Sequence, residues 1–395
     1  MSAIPIGRSQ DLQRLRDAGY NIFVTDAGNL VLRDVPYING SGELVRGSIA
    51  SNLELAGDIT VQPADHTAKF IGDYPCTNAG VELAILRHTS GDFALGSGLS
   101  AQHSFSRKPP RGHYIDYYEK MVTYVSLIQQ SAVERDPNIS AKTRKIVEPE
   151  IGESSFNYLD TASSRSDING IASKICGLKI AIIGLGGTGS YILDAVAKTP
   201  VGQIHLFDAD QMLTHNAFRA PGAPSIEELR SQPLKVDYLK SIYSKMHRGI
   251  ETHPVQVDVS NVAFLEGMSF VFLSMDSGDE KRAVVNQLEI WGTPFIDVGM
   301  GLYVKRNKIS GILRSVISLP DARDEARSRI SFTRDDAINE YDKNIQIAEL
   351  NSLNACLAVI AWKKHFGYYW NQGAERFISY TVGTGQLAKA DIHEN

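Results

Sequence analysis

The run Gly184-Leu185-Gly186-Gly187-Thr188-Gly189 constrains this chain more than any other segment. It directly follows Lys179-Ile180-Ala181-Ile182-Ile183 and directly precedes a helical stretch at 191–198. A short, almost wholly apolar run suits a strand buried on both faces of a parallel sheet. Glycines let backbone amides come close to a phosphate, and the helix start adds unpaired N–H groups and positive dipole character. A GxGxxG pattern is informative only between a strand and a helix, which is its context here. The plain alternative is a tight strand-to-helix turn that holds no ligand.

The surrounding pattern continues the same architecture. Extended runs at 203–207, 251–257, 270–273 and 294–298 alternate with helical stretches at 229–247 and 281–291, and a long helix follows at 340–366, apolar from 345 to 362. Such alternation implies an α/β fold with a Rossmann-like doubly wound sheet over 166–395. Residues 1–135 read differently, as a smaller β-rich α+β domain. A helix is expected at 10–18 and a hairpin where 21–25 and 29–33 flank Asp26-Ala27-Gly28. Further extended runs fall at 58–62, 69–72 and 81–87. At 114–129, Ile115, Tyr118, Met121, Val122, Val125 and Ile128 recur at helical spacing. The polar stretch 136–165 reads as a connector.

Composition removes several function classes. Forty Lys and Arg against 45 Asp and Glu give a net charge of −5, without the basic footprint of a nucleic-acid binder. No apolar window is long enough to span a membrane, and the first residues lack a signal-peptide pattern. The three cysteines, Cys76, Cys176 and Cys356, form neither a disulfide framework nor a CxxC zinc pair. A cytoplasmic protein without a zinc site is expected.

The charged residues around the glycine run carry the chemistry. Asp208 ends the second strand, where a ribose-binding acid belongs. Asp210, Asn216 and Arg219 follow, then Lys235 at the start of a helix and Asp276 after the strand at 270–273. An Arg and a Lys suit the charge that develops as pyrophosphate leaves, and a strand-end carboxylate suits magnesium. A hydride-transfer enzyme needs none of these three.

On these residues the segment from about 165 to 300 resembles the adenylation domain of the ThiF, MoeB and HesA superfamily, which includes the ubiquitin-activating enzymes. The resemblance assigns ATP binding to Gly184, Gly186, Gly187, Thr188, Gly189, Asp208, Asp210 and Asn216, with Arg165 reaching a partner protomer's ATP. It assigns catalysis to Arg219, Lys235 and Asp276, the last with magnesium. It also matches Arg282 on the next helix and Pro294-Phe295-Ile296-Asp297-Val298-Gly299. It implies attack of a carboxylate on the α-phosphate of ATP, the carboxylate being the C-terminus of a small ubiquitin-like or sulfur-carrier β-grasp protein that ends in glycine. A ubiquitin-conjugating-like enzyme as a further partner and a homodimer are implied in the same way, as is a bacterial conjugation pathway. An NAD-dependent oxidoreductase and a catalytically silent nucleotide-binding scaffold are the competing readings.

Other features depart from that pattern. The stretch 302–340, where some relatives carry a nucleophilic cysteine, has none and reads as a mobile, solvated, charged segment. A hydroxyl at Ser331 or Thr333 remains an alternative acceptor. Cys356 and Cys176 are expected in the core and Cys76 in an exposed turn. His103, His113 and Asp116 suggest a metal or catalytic reading; the plain reading is a basic loop leading into an aromatic amphipathic helix, and a loop that docks a partner is a further alternative. The first domain is expected to recognise the modifier or a downstream enzyme.

Overall fold

The computed structural model describes residues 4–145, 154–158, 160, 162–163, 166, 168–276, 278–332, 345–373 and 375–391. The chain divides into two compact units, Met1–Glu150 with Tyr158–Asp167, and Ile151–Asn157 with Ile168–Asn395.

In the first unit, short helices α1 (Ile4–Arg8) and α2 (Gln10–Asp17) precede strands β1 (Asn21–Val24), β2 (Asn29–Ile38) and β3 (Leu44–Asn52). A two-residue pair, β4 (Leu55–Ala56) and β5 (Ile59–Thr60), comes next. Then follow β6 (Thr67–Ile71), β7 (Arg87–Gly96), β8 (Leu99–Ser106) and helix α3 (Tyr117–Arg135). Six strands form an antiparallel sheet in the order β1-β2-β3-β6-β8-β7. The expected hairpin is β1 and β2. The run expected to be extended at 81–87 is instead a turn with a 3₁₀ stretch at Ala84–Leu86, the strand beginning only at Arg87.

Helix α3 buries Tyr117, Met121, Tyr124, Val125 and Ile128 against Leu30, Leu32, Phe70 and Phe105 of the sheet. Asp116 caps it, accepting from the Glu119 N–H at 2.7 Å. Asp116 therefore serves the helix start, and His103 stacks on Phe105 and donates to or accepts from Ser90 at 2.9 Å. The metal reading of His103, His113 and Asp116 is not supported by that arrangement. Among the described residues no group of three or more His, Cys, Asp or Glu is placed to hold a metal ion.

The second unit contains an eight-stranded sheet. Its members are β9 (Lys179–Ile183), β10 (Gln203–Phe207), β11 (Ile250–His253), β12 (Phe270–Leu273), β13 (Phe295–Lys305), β14 (Lys308–Ser318), β15 (Glu375–Thr381) and β16 (Gln386–Asp391). The order is β11-β10-β9-β12-β13-β14-β15-β16. The first five are parallel, with Ile204 beside Ile180 and Phe270 on its other side, and the last three run antiparallel. The strand order reverses between β9 and β12, so a crevice opens there beyond the carboxyl ends of the strands.

Helices α4 (Gly187–Val196), α5 (Lys235–Tyr243), α6 (Asp279–Ile290) and α7 (Ala348–His365) flank this sheet. Trp362 of α7 is wholly buried against Phe272 and Phe366. The helix expected at 229–247 is broken. Ile226–Ser231 is one helix, Gln232 turns left-handed at φ 47°, and α5 starts after Pro233. The stretch expected to be mobile from 302 is largely ordered: β13 and β14 pair through Lys305 and Lys308, and a helix spans Arg323–Arg329. Residues 333–344, Thr333 included, lie outside the described residues, as does Arg165. Among the described residues no helix is long and apolar enough to cross a membrane.

Candidate active site

The glycine run is the turn from β9 into α4. Gly184 sits at φ +84°, and a Cβ there would collide with the Ser274 carbonyl at the end of β12. A Cβ on Gly189 would strike the Gly184 carbonyl, so the helix can start this close to the strand only with glycine at both positions. Gly186, in contrast, faces open space. Thr188 Oγ1 donates to Asn351 Oδ1 at 3.0 Å, which ties the loop to α7.

A cavity of about 320 Å³ opens at this loop, lined by Gly184, Gly186, Asp208, Asp210, Arg219, Lys235 and Asp276 among others. The structure thus gathers seven sequence-selected residues from five separate turns. Their pairings differ from a simple ligand set. Asp208 is nearly buried and its carboxylate is already engaged: Oδ2 accepts from the Leu185 N–H at 2.6 Å and Oδ1 from the Asp210 N–H at 2.9 Å. Lys235 Nζ lies 3.4 Å from Asp208 Oδ1 and donates to Asp210 Oδ2 at 2.6 Å. The Asp210 side chain is 73% exposed, so it is the acid of the pair that faces solvent.

Asn216 lines neither this cavity nor its neighbour. Its Oδ1 accepts from the Leu213 N–H at 2.9 Å, and its carbonyl accepts from the Arg219 N–H at 3.1 Å. The Asn-x-x-Arg spacing therefore builds a turn that presents Arg219. The Arg219 Nε is buried without a partner among the described residues, an expensive state for a group that keeps its charge. A ligand bearing oxygen acceptors would relieve it.

A second cavity, of about 520 Å³, adjoins the first and shares Gly186, Ser274, Met275, Asp276 and Gln346 with it. It runs along β13 and β14, past Gly299, Tyr303 and Ile312, and Ser331 lines it. Beneath it lies an ion network around Asp297 whose basic members, Lys281 and Arg314, the sequence reading missed. Asp297 is fully buried between Lys281, whose Nζ is 2.5 Å from Oδ1, and Arg314, whose NH2 is 3.1 Å from Oδ2. Burial pushes the Asp297 carboxyl up, and the two flanking cations oppose that shift. Arg282, expected to be the basic residue of this helix, instead lies over the Phe332 ring. Because α6 starts at Asp279, its inward face carries Lys281, Val284, Val285 and Leu288, and position 282 falls outside it. Two buried asparagines of α7 complete the frame. Asn351 Nδ2 donates to the Arg219 carbonyl at 3.2 Å and Asn354 Nδ2 to the Gly299 carbonyl at 3.1 Å.

The cysteines fall opposite to expectation. Cys76 is buried, its N–H donating to the Ile38 carbonyl, while Cys176 and Cys356 are exposed. Cys356 is next to Ala355 in sequence but a third of a turn away from the buried stripe Asn351, Asn354, Ala355, Ala358, Trp362.

A parallel sheet with a glycine loop and a charged cavity at its switch point defines a nucleotide-binding domain of Rossmann-like architecture. More specifically, the chain carries a ThiF-family domain: residues 164–339 match the family described as ThiF family. Residues 10–161 match a domain of unknown function, DUF6791. Among solved structures, PaaA is 15% identical, with 70% of this chain and 93% of that chain covered and a TM-score of 0.46. E. coli MccB with ATP is 16% identical over 59% and 72%, TM-score 0.43. E. coli TcdA, a tRNA N6-threonylcarbamoyladenosine dehydratase, is 20% identical over 52% and 92%, TM-score 0.39. No curated protein matches the chain.

Proposed function

We propose that this chain is an ATP-dependent adenylyltransferase that activates the C-terminal carboxylate of a ubiquitin-like β-grasp protein. The observation that carries the reading is Arg219, a guanidinium with a buried, unpartnered Nε in the cavity at the glycine loop. The ThiF-family domain supports the same reaction.

The residues fit the chemistry. The α4 N-terminus supplies backbone donors to phosphate oxygens. Arg219 and Lys235 stand where charge grows as the substrate carboxylate attacks the α-phosphorus and pyrophosphate departs. Lys235 would exchange one of its two carboxylates for a phosphate. Asp276, exposed and common to both cavities, would hold magnesium together with the phosphates, the ion offsetting their charge. Asp210 is the acid available to a ribose, with Asp208 fixing the loop beneath it. The second cavity leads from Asp276 along β13 and suits an extended chain terminus. A conjugating enzyme as downstream partner, a homodimer and a cytoplasmic setting belong to this proposal.

The oxidoreductase reading is weaker because hydride transfer has no use for the Arg219, Lys235 and Asp276 that share this cavity. Modifier-dependent exchange of labelled pyrophosphate into ATP tests the proposal. Exchange that is abolished in Asp276→Ala supports it. No exchange with any co-encoded β-grasp protein, or tight NAD binding without ATP binding, refutes it.

A further inference from the structure

A smaller cavity, of about 170 Å³, lies at the other end of the second sheet. The register fixes its position. Phe295, where parallel β13 begins, pairs with Ser318, where antiparallel β14 ends, so Ile317 and Leu319 sit at the end remote from the glycine loop. Those two residues and Ala361 form an apolar wall, and Lys364, His365, Asn371 and Arg376 complete the lining. None of these residues lines either cavity at the glycine loop.

Arg376 is the group that calls for an explanation. It stands on β15 and is 7% exposed. Its NH2 donates to Asp321 Oδ2 at 2.7 Å, but Nε and NH1 are buried without a partner among the described residues. A guanidinium cannot shed its proton, and leaving a buried donor unpaired is costly, the more so when the group is charged. Asp321 answers only part of this need. Its side chain is 70% exposed, and the bond to Arg376 holds its carboxyl below the usual carboxylate range, so it remains an anion on the outer side.

The rest of the lining suits an acceptor-rich guest. Burial, and then the charge of Arg376, lowers the His365 imidazole, which is therefore neutral at pH 7 and able to give or accept one hydrogen bond. Asn371 brings an amide at an exposed position. The last turn of α7 also carries Lys363 and Lys364, whose charges offset the partial negative charge of that helix end.

We propose that this cavity is a binding site for a small oxyanion, the phosphate of a monoester or a carboxylate, received by Nε and NH1 of Arg376. Its volume takes the anionic group and a few further atoms, not a nucleotide. The site is independent of the adenylation reading, because it shares no residue with that cleft.

Calorimetric titration tests it in the full chain carrying Arg219→Gln, which weakens phosphate binding in the nucleotide cavity. Inorganic phosphate and acetate are titrated separately. At least one of them binds, and adding Arg376→Gln weakens it roughly tenfold or more, about 1.4 kcal/mol. Asn371→Asp, at an exposed position that folding tolerates, places a carboxylate in the lining and weakens it in the same direction even if Arg376→Gln fails to fold. Binding of phosphate alone identifies a phosphate ligand, and binding of acetate alone a carboxylate. Absence of binding for both probes, or affinities unchanged by Asn371→Asp and by Arg376→Gln, overturns the proposal.

Discussion

The two units differ in which buried polar groups they leave without partners: among the described residues the first leaves the neutral Gln129 Oε1 and Thr143 Oγ1, while the second also leaves cationic ones. In the first, Lys120 donates to the Asp65 carbonyl at 2.6 Å, Tyr124 to the His66 carbonyl at 2.6 Å and Tyr114 to the Arg107 carbonyl at 2.7 Å. Asp11 accepts from Thr60 and from the Tyr117 N–H. In the second, Nε of Arg219, Nε of Arg314, Nε and NH1 of Arg376, and Nε2 of His205 are buried without partners among the described residues. Three cavities lie beside such groups: Arg219 lines one, Arg314 another and Arg376 the third. Satisfied polar groups fix a core, and an unpartnered buried cation beside open volume is the costly exception that calls for an explanation.

The sharpest way to break this comparison is at the buried pair of the second unit. Lys281→Met leaves the Asp297 carboxylate facing only Arg314, and removing one partner of a buried pair costs about 3–5 kcal/mol. Urea denaturation should show a loss of that size, and Asp297→Asn added to it should recover part of the loss. Undiminished stability in the single variant would mean that the pair is not holding β13 to α6. Arg219→Gln should behave in the reverse manner. It removes a donor for developing charge, so pyrophosphate exchange should fall about 10²–10³-fold, while the midpoint of unfolding stays the same or rises because an unpaired buried group is gone. A variant that lost stability and activity together would place Arg219 with the structural residues and erase the distinction between it and Lys281.

How much of this could be read beforehand depends on the range of the interaction. The β9–loop–α4 turn was legible because its glycines act on atoms nearby in sequence and along one strand end. The doubly wound sheet followed from strand–helix alternation, whereas the antiparallel β14, β15 and β16 did not. The break at Gln232 and Pro233 was also written in the sequence, since proline stops a helix, but the apolar spacing on either side concealed it. Lys281 was missed by one position because the inward face of α6 depends on where the helix starts, and Asp279 and Glu280 were the only local sign. The engagement of Asp208, the buried Asn351 and Asn354, and the orphaned Arg376 could not be read at all. Each depends on a partner some 20 to 160 positions away. The six-stranded order of the first unit is illegible for the same reason.

The smallest expected effect belongs to the first unit and asks whether its satisfied core is truly closed. Burial lowers Lys120 from an ordinary 10.5 to about 8, with Asp65 and Glu54 opposing the shift. Between pH 8 and 10 the unfolded chain keeps this proton and the folded chain has released it. Unfolding therefore takes up a proton, and stability rises with pH, by about 2 kcal/mol across that window. Above pH 10 the sign reverses. Burial holds Tyr114 and Tyr117 up at about 12, so the unfolded state loses phenolic protons that the folded state keeps, and stability falls. Wild type should thus be most stable near pH 10. Lys120→Met should lose the rise and keep the fall, and the difference between their urea denaturation curves cancels titrations elsewhere in the chain. A rise that survives in Lys120→Met would show that another group produces it and that the Lys120 ammonium is not depressed by burial. The two halves would then differ less than their hydrogen bonds imply.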